Sequence, residues 1–402
     1  MTIDLRTRSD ADAVAFDAPT FLRDELPRAL ARRHLERSRP HAALVPLVFD
    51  LDGACWTLSF DGDQPVVRPG APADTHDPVR VRLSPALLAD LALDQITPIG
   101  MMTGGTLDLA GTGNGLALLL DWWVVLRDAL DEDPLPGPDE VELSVDLTRS
   151  FTLDDDPAEI RAFLDHAGFV HLRGVFTEAE MAQISADMDA AEGTYEPGDG
   201  RSWWARTASG DRLVRMQYFE EHSPTAAALL DDERFLALGA IPGCGHRFGG
   251  FAESRWEALF KPIGVTSGIS DVPWHKDCSL GRHSYECMRV TVGVSVTGAG
   301  PTTGQLRVVP GSHRALMWPS LVDVSTLPLP DVGLATGTGD VTLHLSCTLH
   351  MAQPPTTAER RVLYTSFTLP PVDEEAQAAA HRRLVATARE TAPTTVSQQS
   401  TV

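Results

Sequence analysis

Alternating apolar and polar positions in the C-terminal half of the chain predict a β-rich unit. Between Arg289 and Val296, valine occupies every second position, and Thr291, Gly293 and Ser295 lie between the valines. Alternate side chains of a strand point to opposite faces, so this pattern predicts one apolar face and one face of different character. Similar strands between glycine and proline turns are predicted at 306–308, 341–345 and 361–369. Strands at this spacing are typical of a double-stranded β-helix, or jelly roll.

The first third of the chain has a mixed pattern. A charged helical stretch is predicted at 21–37, and alternating runs around Phe49 and Trp56 are broken by Asp-Gly pairs, which favour hairpin turns. Ser84 and the proline after it open a helix, and a strongly apolar helix is predicted at 116–130. We therefore predict a small α+β unit here, so that the chain as a whole belongs to the α+β class.

An acidic segment with three prolines, 131–140, separates the two patterns, and its composition is typical of a linker. After it, the sequence predicts a helix that starts behind Asp156 and a second helix with a capping box formed by Thr177 and Glu180. Residues 193–260 are poorly patterned, and we expect a lid or binding loops there.

A chain of 402 residues, 43% of them hydrophobic, is long enough for two domains with buried cores. The patterns divide it into five parts. These are a flexible leader at 1–20, an α+β domain at 21–130, a linker at 131–149, a jelly-roll domain with flanking helices at 150–370, and a terminal helix with a disordered tail at 371–402.

Charge and cysteine content narrow the functional classes. With 33 basic and 56 acidic residues the formal net charge is −23, which disfavours nucleic acid and anionic membrane surfaces as partners. Five scattered cysteines without a Cys-X-X-Cys pair disfavour a disulfide framework and a structural zinc site. The sequence shows no signal-peptide pattern and no apolar run of roughly 18 residues. We therefore expect a cytoplasmic protein without stable membrane insertion.

The strongest candidate for chemistry is the pair His275 and Asp277, which stand two residues apart. In an extended segment, residues with this spacing point to the same face, so one nitrogen and one oxygen ligand share a direction. One more histidine would complete the two-histidine, one-carboxylate set that holds non-haem Fe(II) and leaves coordination positions open. The pair alone is also typical of a surface histidine beside a solvated aspartate, so the assignment depends on the residues that follow.

Three further features follow this pair in chain order. They are the run Gly-Gln-Leu-Arg-Val-Val-Pro-Gly-Ser-His at 304–313, the pair Gly339-Asp340 ahead of His350, and Arg360-Arg361 ten residues after that histidine. The ordered set resembles the phytanoyl-CoA dioxygenase family of Fe(II)- and 2-oxoglutarate-dependent oxygenases. The resemblance covers about residues 150–370. It implies a dioxygenase that uses Fe(II), 2-oxoglutarate and O₂ to oxidise a small-molecule substrate.

By this resemblance, His275, Asp277 and His350 are the catalytic metal ligands, and Arg360 binds the distal carboxylate of 2-oxoglutarate. An arginine suits that task because its planar fork of donors matches a carboxylate. The alternative is Arg361, if the register shifts by one residue. Weaker candidates for the same cofactor pocket are Lys261, Gln217 and Thr348.

Two other histidines compete for roles. Strand alternation predicts that the side chain of His344 points inward, whereas the family pattern favours the later His350 as the ligand. His313 closes the Pro-Gly-Ser-His turn, and we expect a structural role for it. A carboxylate at Asp277 favours hydroxylation, or another oxidation such as desaturation or ring closure, over the halogenation of related enzymes that lack a carboxylate there.

The N-terminal unit resembles a sterol-carrier-like lipid-binding domain. The matching pieces are 49–53 with Trp56, the helix after Ser84, and 104–111 with the helix beyond it. The resemblance implies either an apolar ligand cavity or a fold kept for packing or dimerisation. It favours an apolar or carrier-linked substrate and leaves a homodimer open. Two alternative functions stand beside the oxygenase: a non-oxygenase jelly-roll metal-binding protein, and a lipid carrier with a degenerate oxygenase domain.

Overall fold

The computed structural model describes residues 15–32, 44–72, 77–103, 105–131, 136–248, 255–268, 270, 273–280, 289–315, 317 and 324–369. The predicted terminal helix and tail and most of the predicted leader lie outside the described residues. Two large hydrophobic cores are present, one built from residues between 18 and 126 and the other from residues between 151 and 367.

The N-terminal unit begins with α1 (Ala18–Thr20), a π-helical turn (Phe21–Glu25) and α2 (Leu26–Arg32). Its strands are β1 (Leu47–Leu51), β2 (Ala54–Asp61), β3 (Gln64–Pro69), β4 (Arg80–Arg82) and β5 (Asp108–Ala110). Its other helices are α3 (Pro85–Ala92), α4 (Pro98–Thr103) and α5 (Gly115–Leu130). The sheet runs in the order β3-β2-β1-β4-β5, and β1 pairs with β4 in parallel.

Local signals explain several of these elements. Asp52 and Gly53 both have positive φ at the turn between β1 and β2, so the predicted Asp-Gly hairpin is confirmed. The predicted leader is wrong at its end, because Ala18 is 2% exposed within α1 and packs into the N-terminal core. The apolar helix α5 buries Trp122 and Trp123 completely. Among the described residues, no helix is long and apolar enough to cross a membrane.

The C-terminal unit contains the helices α6 (Pro157–Ala167), α7 (Glu178–Ala191), α8 (Pro224–Leu229) and α9 (Glu233–Ala240). Its strands are β6 (Phe169–Leu172), β7 (Ser202–Thr207), β8 (Gly210–Met216), β9 (Arg247–Phe248), β10 (Glu257–Lys261), β11 (Val265–Ser267), β12 (Val290–Ser295), β13 (Leu306–Val309), β14 (Val332–Leu334), β15 (Val341–Leu345), β16 (Leu349–Ala352) and β17 (Arg360–Thr368). The larger sheet runs β11-β7-β8-β10-β17-β12-β15-β6, with β9 also on β17, and the smaller runs β14-β13-β16. The predicted α+β class with large antiparallel sheets is confirmed.

The two faces of the larger sheet differ, as the alternation in β12 predicts. The valines of β12 are buried in a core shared with α6 and α7. Directly opposed cross-strand neighbours share a face, and Thr291 is paired with His344 on β15 and with Ser366 on β17. The ring centroid of His344 lies 4.2 Å from that of His350 on the smaller sheet. The polar face of the larger sheet is therefore turned toward the smaller sheet.

The middle of the chain departs from its prediction. The region 193–260 is not one long irregular stretch, since it contains β7, β8, α8 and α9 within its described residues. A register shift between Trp203 and Trp204 interrupts the alternation of β7, which hides the strand from pattern analysis. The second part of the predicted linker at 131–149 is packed, because Val141 lies against a small apolar cluster beside β13.

Candidate metal centre

Three side chains that are distant in sequence meet between the two sheets. His275, Asp277 and His350 each offer one ligand atom, and these atoms all lie within 4.8 Å of one another. The Nε2 atoms of His275 and His350 lie 3.5 and 3.7 Å from Oδ1 of Asp277. The structure thus brings together the three residues to which the ordered motifs point.

Main-chain pairing holds this arrangement in place. His275 and His350 form an antiparallel bridge, in which each backbone N–H donates to the other residue's carbonyl, at 2.9 and 3.0 Å. Asp277 follows the bridge and begins a 3-10 turn (Asp277–Leu280), so the aspartate does not lie in an extended strand. The expectation of a shared face was right, although its premise of a continuous strand was wrong.

Hydrogen bonds orient both imidazoles. Nδ1 of His275 lies 2.6 Å from the Pro273 carbonyl, and Nδ1 of His350 lies 2.9 Å from the Thr348 carbonyl. A carbonyl can only accept, so each Nδ1 carries the proton and each Nε2 presents a lone pair toward Asp277. This is the usual way in which a protein fixes the tautomer of a metal-binding histidine.

The pKa values of the clustered residues also suit the binding of a metal ion. Burial alone would raise the pKa of Asp277, but the neighbouring imidazoles of His350, His275 and His344 and the Arg289 guanidinium hold that pKa well below its usual range. Burial, together with the adjacent rings, also keeps the pKa of His350 well below its ordinary value. At neutral pH the centre therefore contains an anionic carboxylate and, beside it, the neutral imidazole of His350. These donors fit a divalent cation such as Fe(II).

The far oxygen of Asp277 has its own partners. The Thr291 hydroxyl donates to Oδ2 at 2.9 Å, and the Arg289 guanidinium lies 3.8 Å from the same atom. These contacts leave Oδ1 as the oxygen nearest the two Nε2 atoms. Thr291 and Arg289 are supporting residues that the sequence motifs do not predict, although Thr291 stands on the non-valine face of β12, which turns toward the centre.

His344 lies on the inner face of the larger sheet, so its predicted inward orientation is confirmed. The side chain is 1% exposed, and its Nε2 lies 3.7 Å from Oδ2 of Asp277. Neither ring nitrogen has a hydrogen-bond partner among the described residues. The ring therefore adjoins the three-residue cluster without belonging to it.

The two arginines at the start of β17 have different surroundings. Arg360 is 2% exposed, and its Nη1 donates to the Gly304 carbonyl at 2.8 Å. Arg361 pairs with Asp189 on α7 at 2.8 Å and donates to the Ser185 carbonyl. Arg360 is thus the more enclosed of the two cations, whereas Arg361 is occupied by the helix that covers the outer face.

The weaker candidates are also placed. Lys261 is buried opposite Arg360 in the pairing of β10 with β17, and its ammonium donates to the Ser270 carbonyl. The Thr348 hydroxyl donates to the Gly168 carbonyl at 2.8 Å, so this residue supports His350 through its main chain. Gln217 donates to Glu257 at 3.0 Å.

Two other contacts frame the centre. His313 hydrogen-bonds to the Asp165 carbonyl at 3.0 Å, and burial lowers the pKa of its ring to about 3, in keeping with a structural role for a neutral ring.

Helix α4 of the N-terminal unit lies against the turn Asp277–Leu280. The N-terminal unit therefore contacts the segment that carries one of the three clustered residues.

Comparison with solved structures finds remote similarity. The non-haem α-ketoglutarate-dependent epimerase SnoN from nogalamycin biosynthesis is 21% identical, with 54% of this chain and 84% of that chain covered and a TM-score of 0.42. AviO1 from Streptomyces viridochromogenes is 21% identical, with coverage of 54% and 97% and a TM-score of 0.43. EctD from S. alaskensis is 20% identical, with coverage of 59% and 86% and a TM-score of 0.43. A comparison with curated proteins gives no match.

A protein-family comparison gives a direct match. The family model described as Phytanoyl-CoA dioxygenase (PhyH) matches residues 164–362, which include all three clustered residues and both arginines at the start of β17. Enzymes of this family are oxidoreductases that use Fe(II) with 2-oxoglutarate and O₂ as co-substrates, as the sequence analysis predicted. Residues 164–362 form a domain of the phytanoyl-CoA dioxygenase family.

Proposed function

We propose that the region 150–370 is a jelly-roll oxygenase domain that depends on Fe(II) and 2-oxoglutarate. The observation that carries the proposal is the cluster of His275, Asp277 and His350. Two imidazoles oriented by backbone carbonyls and one ionised carboxylate match the ligand preference of Fe(II). Three protein ligands leave positions open for small molecules, and the bound metal would supply the activation of O₂.

Arg360 is our candidate for the distal carboxylate of 2-oxoglutarate. Its guanidinium is buried, and its described contacts are the neutral oxygens of Gly304 and Tyr364. A buried cation gains most from an anionic partner that arrives with the ligand. Lys261 lies opposite Arg360 across the strand pair and could contribute to the same pocket.

The reaction we propose oxidises an unactivated C–H bond of a small molecule. One oxygen atom of O₂ enters succinate as 2-oxoglutarate loses CO₂, and the other enters the substrate as a hydroxyl group. The carboxylate of Asp277 occupies the position that a halide would need in a halogenase, which favours hydroxylation, desaturation or ring closure. We keep hydroxylation as the first expectation.

The N-terminal domain at 21–130 is proposed to have a sterol-carrier-like fold. A small pocket in its core is lined by apolar side chains. This size favours a packing role over storage of a lipid. A carrier-linked or apolar substrate, a homodimer and a cytoplasmic location are further proposals, which the sequence alone supports.

Turnover of 2-oxoglutarate tests the proposal. Protein loaded with Fe(II) should form succinate and CO₂ from 2-oxoglutarate and O₂, and a metabolite extract should speed this turnover as its substrate is consumed. His275→Ala should abolish both Fe(II) binding and turnover. Equal Fe(II) binding by the variant and the wild-type protein would rule the proposal out and favour a non-oxygenase jelly-roll metal-binding protein or a lipid carrier with a degenerate oxygenase domain.

A further inference from the structure

His344 is a buried polar side chain at the centre that the proposed ligand set does not use. It lies on β15, six residues before His350 and paired across the sheet with Thr291. Its ring centroid is 4.2 Å from that of His350. A side chain this close to the centre needs an explanation of its own.

The surroundings of His344 leave its hydrogen-bonding capacity unused. The residue is 1% exposed, and neither Nδ1 nor Nε2 has a hydrogen-bond partner among the described residues. Leaving a buried polar group unsatisfied costs free energy, so native proteins rarely keep one without a reason. A ligand that reaches the ring when the centre is loaded would remove this cost.

Geometry argues against a fourth protein ligand on the metal. Nε2 of His344 lies 3.7 Å from Oδ2 of Asp277, and that oxygen already accepts from Thr291. By contrast, the two assigned imidazoles lie nearest to Oδ1. His344 therefore lies beside the His350 ring and approaches Oδ2 of Asp277, whereas the two assigned imidazoles approach Oδ1, so it adjoins the centre without completing it.

We infer that His344 donates a hydrogen bond to an oxygen of the carboxylate-bearing co-substrate bound at this centre. The inference rests on the proposed function, since it concerns the same oxo acid. An imidazole N–H is a suitable donor to a carboxylate in a buried site, where such a bond is stronger than in water. The residue would thus fix the co-substrate without holding the metal.

Anaerobic titration of 2-oxoglutarate into Fe(II)-loaded protein tests this inference. The readouts are the visible charge-transfer absorption of the ternary complex and the separate affinity for Fe(II). His344→Leu should weaken 2-oxoglutarate binding by about 10- to 100-fold, the usual range for a hydrogen bond to a charged group. His344→Gln keeps an N–H donor and should recover most of the affinity. Both variants should bind Fe(II) within about threefold of the wild type, because a group that does not touch the metal adds little to its affinity.

Thr342→Val is the matched control. Thr342 lies two residues away on the same strand and face and is 2% exposed, with its hydroxyl directed at the Gly293 carbonyl. This variant should keep wild-type affinity for both Fe(II) and 2-oxoglutarate. If the leucine variant does not fold, His344→Met and His344→Gln give the same comparison, since they have similar length and differ in the donor.

Three results would overturn the inference. They are unchanged 2-oxoglutarate affinity in His344→Leu, equal losses in the glutamine and leucine variants, and a loss of Fe(II) as severe as that of His275→Ala. Either of the first two results would give His344 a packing role, and the third would make it a metal ligand. Failure of the proposed function is a separate outcome, because wild-type protein would then show no charge-transfer absorption with Fe(II) and 2-oxoglutarate.

Discussion

Two buried arginines, one in each unit, show how differently the two interiors are built. Arg127 on α5 and Arg360 on β17 are both 2% exposed. Arg127 forms ion pairs with Asp131 at 3.3 Å and Asp94 at 3.8 Å, donates to the Ala92 carbonyl and stacks on Trp123 at 4.4 Å. The recorded contacts of Arg360 are two neutral oxygens.

The difference separates charge that serves the fold from charge that serves a ligand. In the N-terminal interior, the cation and its carboxylates neutralise one another within the chain. On the inner face of the C-terminal sheets, no described carboxylate lies within ion-pair distance of Arg360, and His344 has no described hydrogen-bond partner. Polar groups that the protein itself leaves uncompensated are candidates for binding and catalysis. Variants at the two kinds of site should therefore affect different properties.

Loss of a metal ligand should have the largest effect. His275→Ala removes one of the two imidazoles of the centre, so turnover of 2-oxoglutarate should fall by at least about 1,000-fold. Fe(II) binding, measured by equilibrium dialysis, should disappear while the circular dichroism spectrum is retained. His222→Ala, a half-buried histidine outside the centre, serves as the control and should bind Fe(II) normally. If the His275→Ala variant still bound Fe(II), the cluster would have a structural role and would not be the metal site.

Arg127→Met should act on stability. Two carboxylates, with side chains 1% and 3% exposed, would lose their shared cation, and removing one partner of a buried pair costs about 3–5 kcal/mol. Urea denaturation should show this loss, whereas turnover of the folded protein in the cold should be unchanged. The control is Arg82→Met, which breaks an exposed pair with Asp108 and should cost less than about 1 kcal/mol.

Arg360→Met should act on ligand binding. Loss of a buried partner for a carboxylate should weaken 2-oxoglutarate binding by about 30- to 1,000-fold. In the absence of 2-oxoglutarate, the free energy of unfolding should not show the loss expected for Arg127→Met, because no described carboxylate is paired with Arg360. Arg361→Met is the matched control, with binding expected within about threefold of the wild type. If Arg361→Met weakened 2-oxoglutarate binding more than Arg360→Met, Arg361 would be the residue that binds the oxo acid. The contrast between the two interiors would then not hold.

The elements with strong local signals could be predicted from the sequence. The alternating valines predicted which face of β12 is buried. The side chain of Thr177 caps α7 at Glu180, as the predicted capping box requires. The order of motifs also identified the three clustered residues. Contacts between distant segments could not be predicted, because no local pattern records which strands become neighbours. Examples are the approach of Thr291 to Asp277 and the contact of α4 with the turn after it.

The Gly339-Asp340 motif illustrates the same limit. Asp340 accepts from the Gly174 and Gly337 backbone N–H groups and pairs with His171 at 2.8 Å. A Cβ at Gly339 would lie 2.0 Å from the Phe176 carbonyl, so only glycine fits. The motif therefore serves the join between β15 and β6, a role that its position before His350 in the sequence does not reveal.

The smallest expected effect concerns a charge pair at the surface of the C-terminal unit. Glu180 in the capping box of α7 pairs with Arg234 at 2.7 Å, and the hydrogen bond from Arg234 is the main cause that lowers the pKa of Glu180 to about 2. A pKa lowered by folding adds stability above the unfolded value of about 4.5, and that stability is lost as the pH falls toward 2.

Glu180→Gln isolates this contribution, because glutamine can keep the capping box while removing the charge. At pH 7 the variant should be less stable by up to about 1 kcal/mol, since the pair is about one-third exposed and screened by solvent. The difference between the two proteins should shrink between pH 4.5 and pH 2 in urea denaturation followed by circular dichroism. A difference that stays constant over this range would assign the effect to the cap and not to the charge. Arg234, unlike Arg360, already has carboxylate partners within the chain and is not expected to bind a ligand. Turnover of the Glu180→Gln variant should therefore equal that of the wild type.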